Sequence, residues 1–458
     1  MLRLPRLIAT GLILLGAFFA SSRAQSTNTA ALPLPENYFP ELKGILEAAA
    51  KQSPRMILRN LDNVIAEQSR IAARSGQLPT VGGFLQYNPW QRDRRADLPE
   101  PTDTKKLYYN LSLNQPLFHW GALQNNTRIG ELQAKITQGQ TAEAYRGLAQ
   151  EIRGTYLQLV LKKLLLARTQ LHVEITRDQL AVAQTKFEKK VISEGDLFMP
   201  RLNHDQAILS YDRALEDFDS TKRTFAKLTG TPAIDDNQIA GGIPTITPAP
   251  DLLGAILATH VSKQDWNSYY LETLRKQLEV EKLNYKVAAN RLRPNLNMIV
   301  GVSQDEQSYT ANIANKYKLQ STFVGFQVSW SIFDGFAAHS AVASSDARRR
   351  QLQQTYEDAQ TSLSDLARAQ FKQIEFSARS MELANRLLGS AEGNLAGKKD
   401  ELARGLASEA EVSNARLGFL DAQINAFNSR FDYLMKTGDF LSMILEDPAL
   451  TNLANRTP

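Results

Sequence analysis

Apolar residues recur along this chain with two distinct periods. From Tyr145 one stands at every seventh position, at Ile152, Leu159, Leu166, Val173, Leu180 and Phe187. A second run repeats the pattern through Ala367, Ile374, Met381, Leu388, Leu395 and Leu402. Heptads kept in phase this long predict a coiled-coil helix of about 70 residues, roughly 105 Å from end to end. No proline interrupts residues 120–199. Return helices follow, marked by Leu197, His204, Tyr211, Phe218 and Phe225, and by Val412, Phe419, Ala426, Tyr433 and Phe440. Short turns at 190–195 and 405–410 make each outgoing and returning pair an antiparallel hairpin.

The second period is two. Tyr109, Leu111 and Leu113 alternate with Asn110, Ser112 and Asn114, and Val324, Phe326, Val328 and Trp330 alternate with Gly325, Gln327 and Ser329. This alternation predicts strands. Their partner strands are expected at about 80–87 and 295–303, across polar loops at 88–104 and 304–318. Shorter helices are expected at about 40–73 and 252–289. The stretch 231–251, rich in Pro, Gly and Asp, reads as a surface linker.

Sliding the chain by 215 residues brings its halves into register without a gap. Gln77-Leu78-Pro79 falls on Leu292-Arg293-Pro294, Leu117-Phe118-His119 on Ile332-Phe333-Asp334, and Ser193-Glu194-Gly195-Asp196-Leu197 on Ser408-Glu409-Ala410-Glu411-Val412. The expected organisation is therefore a first repeat at 25–230 (strands about 79–118, hairpin about 119–230), the linker at 231–251, and a second repeat at 252–446 (strands about 294–333, hairpin about 334–446), with a C-terminal tail at 447–458. Residues 1–24 read as a signal peptide. Arg3 and Arg6 precede an apolar run from Leu7 to Ala20, and Ser22-Arg23-Ala24 offers a cleavage site.

That cleavage changes the charge picture. The full chain carries 53 basic and 48 acidic residues, and without Arg3, Arg6 and Arg23 the balance falls to 50 against 48. A nearly neutral chain offers no reason to invoke nucleic acid. The absence of Cys excludes disulfides, thiolate metal sites and Cys nucleophiles. The five His residues (119, 172, 204, 260 and 339) show no metal-ligand spacing, and no phosphate loop, nucleophile elbow or paired acids suggest an enzyme or a cofactor. No apolar run suggests a transmembrane helix beyond the signal, so membrane insertion requires strands. Four strands cannot close a barrel, and an open sheet edge is not tolerated in lipid, so such a chain must oligomerise.

The strand-to-helix junctions Gln115-Pro116-Leu117-Phe118 and Trp330-Ser331-Ile332-Phe333-Asp334-Gly335, the tip segments 190–197 and 405–412, and the duplicated half together resemble the TolC-like outer-membrane efflux family. The resemblance spans essentially the whole chain after the signal. It implies a mixed α and β fold of mostly long coiled-coil helices. Three chains would form an α-barrel joined to a 12-stranded transmembrane β-barrel, four strands per chain. The function it implies is an exit duct in the cell outer membrane, with the helices in the periplasm. Its partners would be two further copies, a periplasmic adaptor, an inner-membrane transporter and outer-membrane lipid. The sequence departs from the family where Lys190 stands in place of the usual Gly, which the second tip keeps at Gly405, and where Leu445 stands opposite Gly230.

The resemblance also assigns site residues. Glu411 and Asn414 match the positions of an acidic periplasmic constriction, to which the repeat adds Asp196. Both acids would equally stabilise the first turn of a helix. Val191, Ile192, Ser193 and Glu194, with Leu406, Ala407, Ser408 and Glu409, form the tips that an adaptor would cover. Arg92, Arg94 and Arg95 are expected in a cell-surface loop, and Tyr108, Tyr109, Trp330 and Phe333 at strand ends. Competing readings are the duct of a type I protein-secretion system and a periplasmic coiled-coil scaffold that never enters a membrane.

Overall fold

The computed structural model describes residues 32–94, 100–263, 266, 268–308 and 316–447. The chain enters through α1 (Pro35–Tyr38), α2 (Pro40–Gln52) and α3 (Pro54–Ser75). Pro40 and Pro54 each open a helix at N1, where a missing N–H costs nothing. Strands β1 (Thr80–Asp93) and β2 (Thr102–Phe118) then lead into α4 (Ala122–Glu188), which returns as α5 (Glu194–Thr229). After the connector come α6 (Pro250–Lys263), α7 (Tyr269–Ala289), β3 (Asn295–Ser308), β4 (Lys316–Ser329), α8 (Ala337–Ala403) and α9 (Glu409–Met443). All lie within the unit Pro33–Pro458, and no described helix is long and apolar enough to cross a membrane.

The two long helices have 67 residues each, roughly 100 Å. Their bounds, and those of β1 and β3, coincide at the 215-residue shift. So does every described backbone position with positive φ: Trp120 and Gly335, Gly121 and Phe336, Lys190 and Gly405, Gly230 and Leu445. The left-handed conformation therefore belongs to the position rather than to glycine. At Gly230 a side chain is also excluded sterically, because a Cβ would stand 2.2 Å from the Gln52 carbonyl oxygen.

The heptad stripe is the packing seam. Tyr145, Ile152, Leu159, Ala367, Ile374, Met381, Phe218, Phe225, Tyr433 and Phe440 are all buried. Toward the tips the seam opens, and Phe187 is exposed. Near the strands α3 packs on α4, α4 on α7 and α7 on α8, whereas toward the tips the neighbours are α5, α4, α9 and α8. The sheet order is β1-β2-β3-β4, all antiparallel.

Three expectations need correction. The strands run further into the polar loops than the alternation suggests. Gln91–Asp93 still pair with Thr102–Thr104 beyond a register shift, so Arg92 lies in β1 and pairs with Asp103 at 2.8 Å rather than in a free loop. The 231–251 stretch is a packed strap, with Ile239, Ile243 and Ile246 buried. Lys163 of α4 donates to the Asp236 and Ile239 carbonyls, and Arg430 of α9 to the Ile243 carbonyl, while the Tyr433 hydroxyl accepts from Ala249 N–H. Finally Asp447, expected to begin a tail, is buried against Arg153. Arg95, the signal segment and residues 448–458 lie outside the described residues.

Candidate functional site: the two-faced sheet and the hairpin tips

Strand register decides what a sheet can face, because a slip of one residue exchanges its sides. Here Val81 pairs with Leu113, Leu113 with Val300, and Val300 with Val324. The next row on that face holds Gly83, Leu111, Val302 and Thr322, and on the other side of the Val300 row Met298 pairs with Phe326 and Leu296 with Val328. One face is thus apolar across all four strands, and Val81, Leu85, Val324, Phe326 and Val328 are exposed on it. From Leu296 to Val302 the apolar band on β3 spans about 20 Å of strand. The opposite face carries the rows Thr80–Asn114–Ile299–Gly325, Gly82–Ser112–Gly301–Phe323 and Phe84–Asn110–Ser303–Ser321. Apart from three apolar residues it is hydroxyl, amide and glycine, with no charge in these rows. At the helix end of the sheet, Trp120 and Trp330 are exposed and donate their indole N–H to the carbonyls of Pro294 and Leu292.

The tips have matching geometry. At the first, Lys190 takes the left-handed conformation and Val191 N–H bonds back to the Lys186 carbonyl at 2.8 Å. At the second, Gly405 and Leu406 do the same, the latter to Glu401 at 2.8 Å. These are Schellman closures. Two residues later the return helix opens with a capping box. Asp196 N–H donates to Ser193 Oγ at 3.2 Å while Ser193 N–H donates to the Asp196 carboxylate at 3.0 Å. Ser408 and Glu411 repeat this at 3.3 and 2.7 Å. A helix end, a reversal and a new helix start fit into the residues between Glu188 and Glu194.

Asp196 and Glu411, the acids expected at a constriction, are therefore part of the tip architecture. Asp196 and Glu411 are exposed carboxylates whose pKa values are lowered. For Asp196 the cause is the Ser193 hydroxyl and backbone N–H. For Glu411 it is the Ser408 N–H, then the Ser408 hydroxyl and the positive charge of Lys398. Asn414 lies exposed one turn beyond Glu411. Of the expected docking residues, Val191 and Leu406 are 68% and 74% exposed. Ser193, Glu194, Ser408 and Glu409 are also exposed, while Ile192 and Ala407 are half-buried. Arg94 is exposed just past β1. His204 is half-buried on the return helix, its Nδ1 3.2 Å from Thr176 Oγ1. No His or acid cluster among the described residues could hold a metal.

Sequence reasoning missed the buried charge cluster. Arg153, fully buried in α4, donates to Glu36 and to Asp447, the latter at 2.5 and 3.0 Å. Burial alone would lower the Arg153 pKa, and the two carboxylates outweigh it and raise it. The cluster ties the two ends of the described chain to the middle of α4. The only hint in the sequence is a charge directly beside the heptad position Ile152.

A model described as outer membrane efflux protein matches residues 46–230 and again 267–436. No curated protein matches the chain significantly. Among solved structures, the fold is similar to the Campylobacter jejuni CmeC outer membrane channel, at 14% identity over 97% of both chains with a TM-score of 0.69. It is similar to the Vibrio cholerae outer membrane protein VceC, at 13% identity over 92% of this chain and 98% of that one (TM-score 0.63). It also resembles the open state of the Neisseria gonorrhoeae MtrE outer membrane channel, at 12% identity over 91% and 92% (TM-score 0.64).

Proposed function

The chain belongs to the outer membrane efflux protein family, and on that premise we propose that it is one protomer of a homotrimeric exit duct serving a tripartite efflux pump. Its location is the outer membrane, with the helical tunnel in the periplasm. Three copies of the four-stranded sheet would give a twelve-stranded barrel, with the apolar face toward lipid and the neutral amide face toward the lumen. The observation that carries this reading is the register: it gathers most of the apolar residues of four strands onto one face and leaves β1 and β4 as open edges. Lipid tolerates no such edges.

The helices support head-to-tail closure. The outer helix α3 exposes Ile57, Leu58, Leu61, Val64 and Ile65, an apolar stripe at helical spacing. It stands at the β1 end of the helix order, and α8 stands at the β4 end. A neighbouring copy laid with its α8 and β4 against α3 and β1 would cover stripe and sheet edge together, the heterologous contact that closes rings. The family model matching twice, and the left-handed positions that pair at the 215-residue shift, support an ancient duplication.

Small molecules would pass from an inner-membrane transporter, through a periplasmic adaptor seated on the exposed tips, into this duct. Asp196, Glu411 and Asn414 would line the narrow end, where carboxylates favour cations. The test has two arms. Asp196→Asn with Glu411→Gln should raise single-channel conductance and weaken block by polyvalent cations. Ile192→Gln with Leu406→Gln should abolish cross-linking to the adaptor and reduce efflux. Wild-type conductance in the first variant would sink the constriction, and intact cross-linking and efflux in the second would sink the docking role.

A further inference from the structure

Where the strands meet the helices, a cleft of about 650 Å³ lies between the start of α4, the end of α7 and the start of α8. We propose that this cleft is a docking station for anions in transit, a phosphate- or carboxylate-bearing solute held chiefly by Arg348. The inference rests on the duct reading.

The side on which the cleft opens follows from the register. His119 lines it and bonds through Nε2 to Asn297 Oδ1 at 2.8 Å. Asn297 and Asn295, also a lining residue, alternate with Leu296 and Met298 and so belong to the polar face. The cleft therefore opens on the side of the neutral amide rows. A solute in a duct lined by that face meets no charge along those rows and meets these groups at the junction.

The balance of partners decides the sign of the ligand. Glu281 is the one carboxylate lining the cleft, and both its oxygens are engaged, by Asn284 Nδ2 at 3.1 Å and by Ser345 Oγ at 3.2 Å. Arg291 is shared with Asp334 at 3.4 Å, and Asp334 also accepts from Ala338 N–H to cap α8. Arg348 lines the cleft and has no partner among the described residues, although its neighbours Arg349 and Arg350 both pair with Asp346. The Asn284 and Asn290 amides are spent on Glu281 and on the Trp120 carbonyl, which leaves the exposed Arg348 fork as the group on this cleft that suits a planar or tetrahedral oxyanion, bound bidentately. A lipid phosphate would present the same chemistry, but it would approach from the apolar face.

The test uses the full protein in planar bilayers, with inorganic pyrophosphate added on the helical side as the probe. Pyrophosphate should reduce the current of the wild type. Arg348→Gln should raise the half-blocking concentration about tenfold, the loss expected for one charge-assisted pair. Arg350→Gln, outside the cleft, should leave block unchanged. A protein that forms no conducting channel would refute the duct reading itself. A channel that conducts and is indifferent to pyrophosphate, or one blocked equally in the Arg348 variant, overturns the anion station alone. Arg348→Gln that leaves block intact yet strips bound phospholipid from the purified protein would overturn it in favour of a lipid headgroup.

Discussion

Replacing Arg153 by Met should be among the most damaging single changes in this chain. The guanidinium is fully buried, Asp447 is 1% exposed and Glu36 is 11% exposed. Met fills much of the aliphatic volume but leaves two carboxylates facing each other without a cation. Breaking a buried ion pair from one side costs about 3–5 kcal/mol. The shift by 215 residues supplies an internal control at Arg368, a surface side chain 3.9 Å from Asp365. There the same substitution should cost no more than about 0.5 kcal/mol. An unfolding entropy of about 2.1 cal/mol/K per residue gives about 0.9 kcal/mol/K for roughly 430 residues, so about 4 kcal/mol corresponds to a Tm lower by about 4–5 °C. The assay is the helical circular dichroism melt of both variants in the same detergent. Removing all three charges together, as Arg153→Met, Glu36→Gln and Asp447→Asn, should recover most of the loss. A single Arg153 variant melting within about 1 °C of the Arg368 variant, or a triple variant no better than the single, would refute the reasoning.

Three further outcomes follow from the tips. Ser193→Ala and Ser408→Ala each remove a helix cap at a cost of about 1 kcal/mol, and hydrogen exchange of the 194–197 and 409–412 amides should quicken about fivefold. Unchanged exchange would mean that the boxes do not hold the turn. Lys190→Gly should slow exchange at the first tip by relieving about 1 kcal/mol of left-handed strain, and Gly405→Ala should speed it at the second, so equal and opposite shifts are expected. The caps also carry a pH signature. The Asp196 and Glu411 pKa values are lowered by Ser193 and Ser408, so their contribution is complete above the unfolded values of about 3.9 and 4.3. It is lost as pH falls through the lowered folded values. A spin label at residue 406 should keep constant mobility from about pH 7 to 5 and loosen only below about pH 4; loosening above that range would contradict this.

The helices are legible in the sequence because a heptad held in phase from Tyr145 to Phe187, and again from Ala367 to Leu402, has one compact solution, and the buried seam at Ile152, Leu159, Ile374 and Met381 is that stripe. Strand centres are legible for the same reason. Strand ends are not: beyond Asn88 the pairing is held by backbone hydrogen bonds and by Arg92 with Asp103, neither of which leaves a period of two. The strap at 231–251 reads as a linker because it is rich in Pro, Gly and Asp, although Ile239, Ile243 and Ile246 carry the burial signal. Tip residues are found by their order, but their capping geometry depends on the left-handed Lys190, which its side chain does not advertise. The Arg153 cluster joins positions 36, 153 and 447. The cleft likewise joins His119 to Glu281 and Arg348. No local pattern links residues so far apart in the chain.

The central claim is the closed ring, and it is tested most directly by the oligomeric mass of the protein extracted from purified outer membranes, after cross-linking and with bound detergent subtracted. Three copies are predicted, enough to pair β1 with β4 of a neighbour at every seam. A monomer or dimer recovered from the soluble periplasmic fraction would contradict the account, because it would leave both edges of the sheet and the α3 stripe uncovered.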